Sequence, residues 1–100
     1  MKIYLDDCRQ EPQGWTRTLK VEETIALLAR CQESGQVVEV VSLDNDLGLG
    51  LAEGRKVLDW LEEQRHYDLS FILPEKVVVH SANPVARQRM ETVIERLYCK

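Results

Sequence analysis

Apolar and polar positions change period several times along the chain, and each change marks an element. Residues 2–5 form a short strand-like run (Ile3, Tyr4, Leu5) that stops at the acidic pair Asp6-Asp7. Residues 8–14 are polar, contain Pro12 and Gly14, and read as loop. Residues 15–19 alternate with a period of two, the mark of an exposed or edge strand. Val21, Ile25, Leu28 and Cys31 then recur at helical spacing, and Gly35 stands where that helix should stop. The next run, residues 37–43, is β-branched and apolar apart from Glu39 and Ser42, as in a strand buried on both faces. It breaks off into Asp44, Asn45 and Asp46, followed by a glycine-punctuated loop that reaches Gly54.

A second helix is predicted over residues 53–65, with Val57, Leu58 and Leu61 turned to the core and Trp60 on its flank. Residues 66–74 are irregular, with Phe71, Ile72 and Leu73 packing beneath a surface loop. Val77, Val78 and Val79 make the last buried strand, ended by His80-Ser81. Asn83-Pro84 opens the final helix: the Asn side chain accepts from first-turn amides, and Pro at the first position has no amide to leave unpaired. Ala86, Met90, Val93, Ile94 and Leu97 form its inward stripe, while Arg87, Arg89, Glu91, Glu95 and Arg96 face water. The order β-β-α-β-α-β-α predicts an α/β fold: a small, open, mostly parallel sheet with right-handed crossovers and helices on both faces.

The 100 residues suit one domain, with no repeat or linker. A formal charge of −4 argues against an extended nucleic-acid footprint, but not against one nucleotide held through a metal. Cys8, Cys31 and Cys99 have neither CxxC nor Cys/His ligand spacing, so neither a disulfide framework nor a zinc site is indicated. A reducing, cytoplasmic setting is the natural expectation. Met1-Lys2 leads straight into strand-like sequence, without the pattern of a signal peptide. No apolar run approaches the ~20 residues that a membrane span requires.

In open parallel sheets, ligands bind outside the carboxyl ends of the strands. Three such ends here carry Asp6-Asp7, Asp44 with Asp46, and His80-Ser81. Crowded carboxylates repel unless one is protonated or a cation neutralises them. Mg²⁺ (or Mn²⁺) suits the set, since it takes few carboxylates and leaves positions for water and phosphate oxygens. Any one of these aspartates would serve equally as a turn cap; the group of four is what points to a metal. The expected ligands are Asp6, Asp7 and Asp44, with Asp46 in reserve or positioning water. Ser81 and the amides after Asn83 offer an anion site at a helix N-terminus, although Asn83 is also a structural cap. His80 is the one side chain in this set of a type that ordinarily exchanges protons near neutrality, which suits proton transfer; a strand-terminal His also commonly serves structure. Arg9 can clamp a phosphate or pair with an acid. Cys8 is expected to be a bystander, because neighbouring carboxylates suppress a thiolate. Gly48, Gly50 and Gly54 miss the GxGxxG spacing by one residue and no GK[ST] follows, so a mobile lid or an ordinary loop is expected there.

These residues resemble response-regulator receiver domains, which carry paired acids after the first strand, a phosphoacceptor Asp after the central strand and Ser/Thr-Ala after the next. The matching positions are Asp6-Asp7, Asp44 and Ser81-Ala82. Two features depart from that family: only the loop over residues 8–14 stands between the first two strands, and the last receiver strand with its Lys is absent. Both departures, with IYLDDCR, SLDNDLG, HSANP and Met90, resemble a narrower group, the cyclic-phosphate-processing receiver domains. Ala86 stands where that group is expected to have Gly. The resemblance implies a site at Asp6, Asp7, Arg9, Asp44, Asp46, His80, Ser81 and Asn83, and a role at cyclic phosphate ends of nucleotides or RNA. The leading expectation is a metal-dependent phosphoesterase-like activity in which His80, Asp46 and Ser81 act on a phosphate held by Arg9, Ser81 and Asn83. The alternatives are a receiver phosphorylated on Asp44, against which the missing Lys weighs, and an adaptor that binds a phosphate ligand or partner protein without turnover.

Overall fold

In the computed structural model, which describes residues 1–45 and 53–99, the chain runs β1 (Lys2–Leu5), β2 (Thr16–Thr18), α1 (Val21–Ser34), β3 (Val40–Leu43), α2 (Arg55–Tyr67), β4 (Lys76–Val79) and α3 (Pro84–Tyr98). The four strands are all parallel and lie in the order β2-β1-β3-β4. Element order and sheet type are those the pattern predicts, with β2 at an edge. Residues 37–39 fall outside β3. There the chain is tied to the beginning of β1 instead, through Glu39 N–H donating to Met1 O and the Met1 ammonium donating to Val37 O. No helix among the described residues is long and apolar enough to cross a membrane.

Register decides what each strand residue faces. Ile3 pairs with Thr16 and Val41, and Val41 with Val77; Leu5 pairs with Thr18 and Leu43, and Leu43 with Val79. This face meets Val21, Leu28 and Cys31 of α1, Val57, Leu58 and Leu61 of α2, and Met90 of α3 in one apolar core. The helices form a single layer, α1 against α2 and α2 against α3. Both crossovers, β2 to β3 and β3 to β4, step in the same direction along the sheet, and the right-handed rule then puts their helices on the same side. The expected helices on both faces are therefore corrected to helices on one. The alternate positions Tyr4, Val40 and Val78 are accordingly only part-buried, and Lys2 and Lys76 are exposed.

The termini of the helices follow their sequence signals. Gly35 adopts a left-handed conformation (φ 76°) that ends α1. Asn83 accepts from the Val85 and Ala86 amides at 3.1 and 3.2 Å, and Pro84 opens α3. Between α2 and β4, Phe71 is buried edge-on to Trp60, while Ile72 is 75% exposed; adjacent residues of an extended segment point to opposite sides. At the other end of α3 the Tyr98 hydroxyl donates to Pro74 O, and burial pushes that phenol from 10.0 up to about 12.

Tyr98→Phe is expected to lower stability by about 1 kcal/mol in urea unfolding at neutral pH. The unfolded phenol loses its proton near 10.0 and the folded one only near about 12, so the stabilisation is complete below the first value and lost as pH rises towards the second. The variant should lack that part of the alkaline decline.

Candidate functional site

Two residues beyond the row Tyr4, Ser42 and Val78, the same face of the sheet presents Asp6, Asp44 and His80. The parallel ladder continues past the strands to set them there: Asp44 N–H donates to Leu5 O at 3.1 Å and His80 N–H to Leu43 O at 3.0 Å. One ligand atom from each of the three side chains lies within 4.8 Å of the others. Three strand ends thus converge, as a parallel sheet allows and an antiparallel one would not.

Asp6 has a relative exposure of 0%. Its Oδ1 accepts from the Cys8 and Arg9 amides at 2.8 and 2.9 Å, and its Oδ2 lies 3.0 Å from His80 Nε2. Burial pushes this carboxyl's pKa up, but the Arg9 and Cys8 amides and then His80 outweigh it and hold the group below 3.8. The residue is therefore a carboxylate at neutral pH despite its burial. His80 is fixed on three sides. Its Nδ1 lies 2.6 Å from Ser42 Oγ, its Nε2 faces Asp6, and its ring stacks on Tyr4 with centroids 4.3 Å apart and planes 6° apart. With a proton on Nε2, the ring donates to Asp6 and accepts the Ser42 hydroxyl; a protonated ring donates to both.

Tyr4 and Ser42 had not been singled out from the sequence. Ser42 looks like an interruption in an apolar strand, yet its position two residues before Asp44 puts both on one face, and that alternation was the signal. Arg17 is a further unforeseen contact, donating from Nε to Asp6 O at 3.0 Å. Arg9 Nη1 donates to His80 O at 2.9 Å and so links the ends of β1 and β4. Ser81 is buried, and its Oγ accepts from the Asn83 amide at 3.1 Å, which leaves the hydroxyl proton for another acceptor. The Asn83 side-chain oxygen is committed to capping α3. Asp7 is part-buried and is not one of the three converging side chains. Asp46, with most of the expected lid, lies outside the described residues.

Asn45 and Gly54 join the start of α2 to this strand end. Asn45 O accepts the Gly54 amide at 3.1 Å, and its Oδ1 lies 3.4 Å from the Arg55 amide. A Cβ on Gly54 would overlap the Asp44 carbonyl oxygen, so glycine is required here by close backbone approach, not by a phosphate-binding motif. Chemically, two carboxylates and an imidazole form a donor set that can hold a divalent cation, with manganese tolerating the nitrogen better than magnesium. The profile of the cyclic-phosphate processing receiver domain matches residues 1–96. No curated protein and no solved structure matches the chain.

Gly54→Ala is expected to cost about 1–3 kcal/mol in chemical unfolding, since backbone cannot rotate out of the way as a side chain would. The stabilisation from Asp6 in metal-free protein is present above 3.8 and lost as pH falls through its lowered folded value. Unfolding midpoints measured from neutral into acid should therefore drop for the native chain and change less for Asp6→Asn.

Proposed function

The chain belongs to the cyclic-phosphate processing receiver domain family, and from that membership and the convergence of Asp6, Asp44 and His80 we propose a metal-dependent phosphoesterase-like activity on cyclic or terminal phosphates of nucleotides or RNA ends. The observation that carries this reading is His80, oriented by Ser42 and Tyr4 with Nε2 turned to the carboxylates. A divalent ion, Mg²⁺ or Mn²⁺, held by Asp6 and Asp44 with Asp7 alongside, would neutralise the crowded acids and polarise a phosphoryl oxygen.

The remaining roles belong to the chain itself. With the ion on the carboxylates and not on the ring, the doubly protonated form of His80 passes its Nε2 proton to the leaving oxygen and is left as the neutral imidazole, while the Ser42 bond and the Tyr4 stack keep the ring from turning. Ser81 has its hydroxyl proton to give to a phosphate oxygen at the start of α3, where the Val85 and Ala86 amides are already taken by the Asn83 cap. Arg9, anchored through one guanidinium nitrogen, keeps the others at the rim for a second oxygen. Asp46 is assigned to orienting the attacking water and taking up its proton. A second reading, binding of a phosphate ligand without turnover, is favoured by one fact: both ring nitrogens of His80 already have protein partners.

Incubation with 2′,3′-cyclic nucleotides and Mg²⁺ or Mn²⁺, followed by phosphorus NMR, separates the two. Ring opening to a monoester is expected, abolished by EDTA and slowed roughly 10²–10⁴-fold in His80→Ala. Turnover indifferent to both changes rejects the scheme. Metal-dependent binding with no product selects the second reading.

A further inference from the structure

The sheet face opposite the helices is a grid of three rows set by strand register. Farthest from the site, Trp15 stands ahead of β2 beside Lys2, Val40 and Lys76; the middle row is Arg17, Tyr4, Ser42 and Val78; the last is Leu19, Asp6, Asp44 and His80. Charge segregates on it. Lys2, Lys76 and Arg17 occupy the first two rows, and the acids only the third. The Lys2 ammonium lies 5.9 Å from the Trp15 ring centroid, Trp15 meets Tyr4 edge-on at 6.0 Å, and Tyr4 stacks on His80. An aromatic path flanked by cations therefore runs from the far row to the candidate phosphate site.

We propose that this face is a track for the end of a single-stranded RNA. The terminal phosphate sits at Asp6, Asp44 and His80, and the preceding nucleotides lie over Tyr4 and Trp15 with their phosphates against Arg17, Lys2 and Lys76. The inference rests on the phosphate-end reading above and narrows its substrate from a free nucleotide to a chain end. RNA is the nucleic acid that fits, because a 2′,3′-cyclic phosphate needs a ribose 2′-oxygen. Rows two residues apart are separated by roughly 6.6 Å, so the three rows span roughly 13 Å, room for about two nucleotides. Such a short track is compatible with a net charge of −4. An apolar partner fits poorly, since docking it would strip water from three cations with no acid supplied in exchange. Arg17 is pre-positioned by its Nε bond to Asp6 O, which leaves its terminal nitrogens for a phosphate.

Anisotropy of a labelled RNA tetranucleotide ending in a 2′,3′-cyclic phosphate, competed with the cyclic mononucleotide in the presence of Mn²⁺, tests the track on the full chain. The tetranucleotide should bind at least tenfold tighter, and Trp15→Ala should erase roughly tenfold of that preference. The exposed pair Lys2→Glu and Lys76→Glu, which leaves the core alone, should reduce the salt slope of oligonucleotide binding by about 1.4. Equal affinity for both ligands, or a preference untouched by all three substitutions, overturns the track. So does a dimer in sedimentation that shields Trp15 from fluorescence quenching. A tetranucleotide ending in a 3′-hydroxyl that still binds with Trp15 and lysine dependence, when no cyclic phosphate is recognised, would refute the phosphate-end reading and keep the track.

Discussion

Everything in the site depends on the parallel ladder through β1, β3 and β4 keeping its register for one step beyond the strands. The Asp44 and His80 amides still bond their neighbours' carbonyls after the regular strands have ended. Because side chains alternate, a slip of one residue would send the acids to the helical face and leave valine and leucine in their place. The apolar rows Ile3, Val41 and Val77, and Leu5, Leu43 and Val79, guard against that slip, since they would have to surface at the same time. Core packing and site assembly are thus one constraint seen from two faces.

That constraint also explains how a carboxylate can stay ionised at a position with no exposure. Asp6 sits where the chain leaves the sheet, and two amides of the turn point back at it. Their dipoles offset the loss of hydration without a formal positive charge. His80 is then bound to an anion already satisfied by backbone, so its own geometry is inherited from the turn. The chain Asp6, His80 and Ser42 links three strands by side chains where the ladder links them by backbone.

Much of this is legible in the sequence. The order of elements along the chain and the three polar strand ends follow from runs of valine and leucine stopped by Asp6, Asp44 and His80, and Asn83-Pro84 announces its helix plainly. Three things were not legible. β3 starts later than its apolar run implies: of residues 37–39 only Val38 is buried, Val37 and Glu39 are exposed, and the segment is tied to Met1 by hydrogen bonds. Ser42 was hidden because one hydroxyl in a strand reveals its importance only through the histidine 38 positions away. The single helical layer was missed because periodicity gives each helix an inner face without saying which side of the sheet it meets; only the strand order decides that.

The donors at positions 6, 44 and 80 come from segments spread over nearly the whole chain, with no two supplied by the same hairpin or helix turn. A fragment that lacks β1, β3 or β4 therefore loses one of the donors. Occupancy is coupled to cooperative unfolding of the entire sheet, so a ligand held at a hundred times its dissociation constant adds about 2.7 kcal/mol to global stability. For a protein of this size the thermal midpoint thereby becomes a gauge of ligand affinity, whether or not the bound molecule is ever converted.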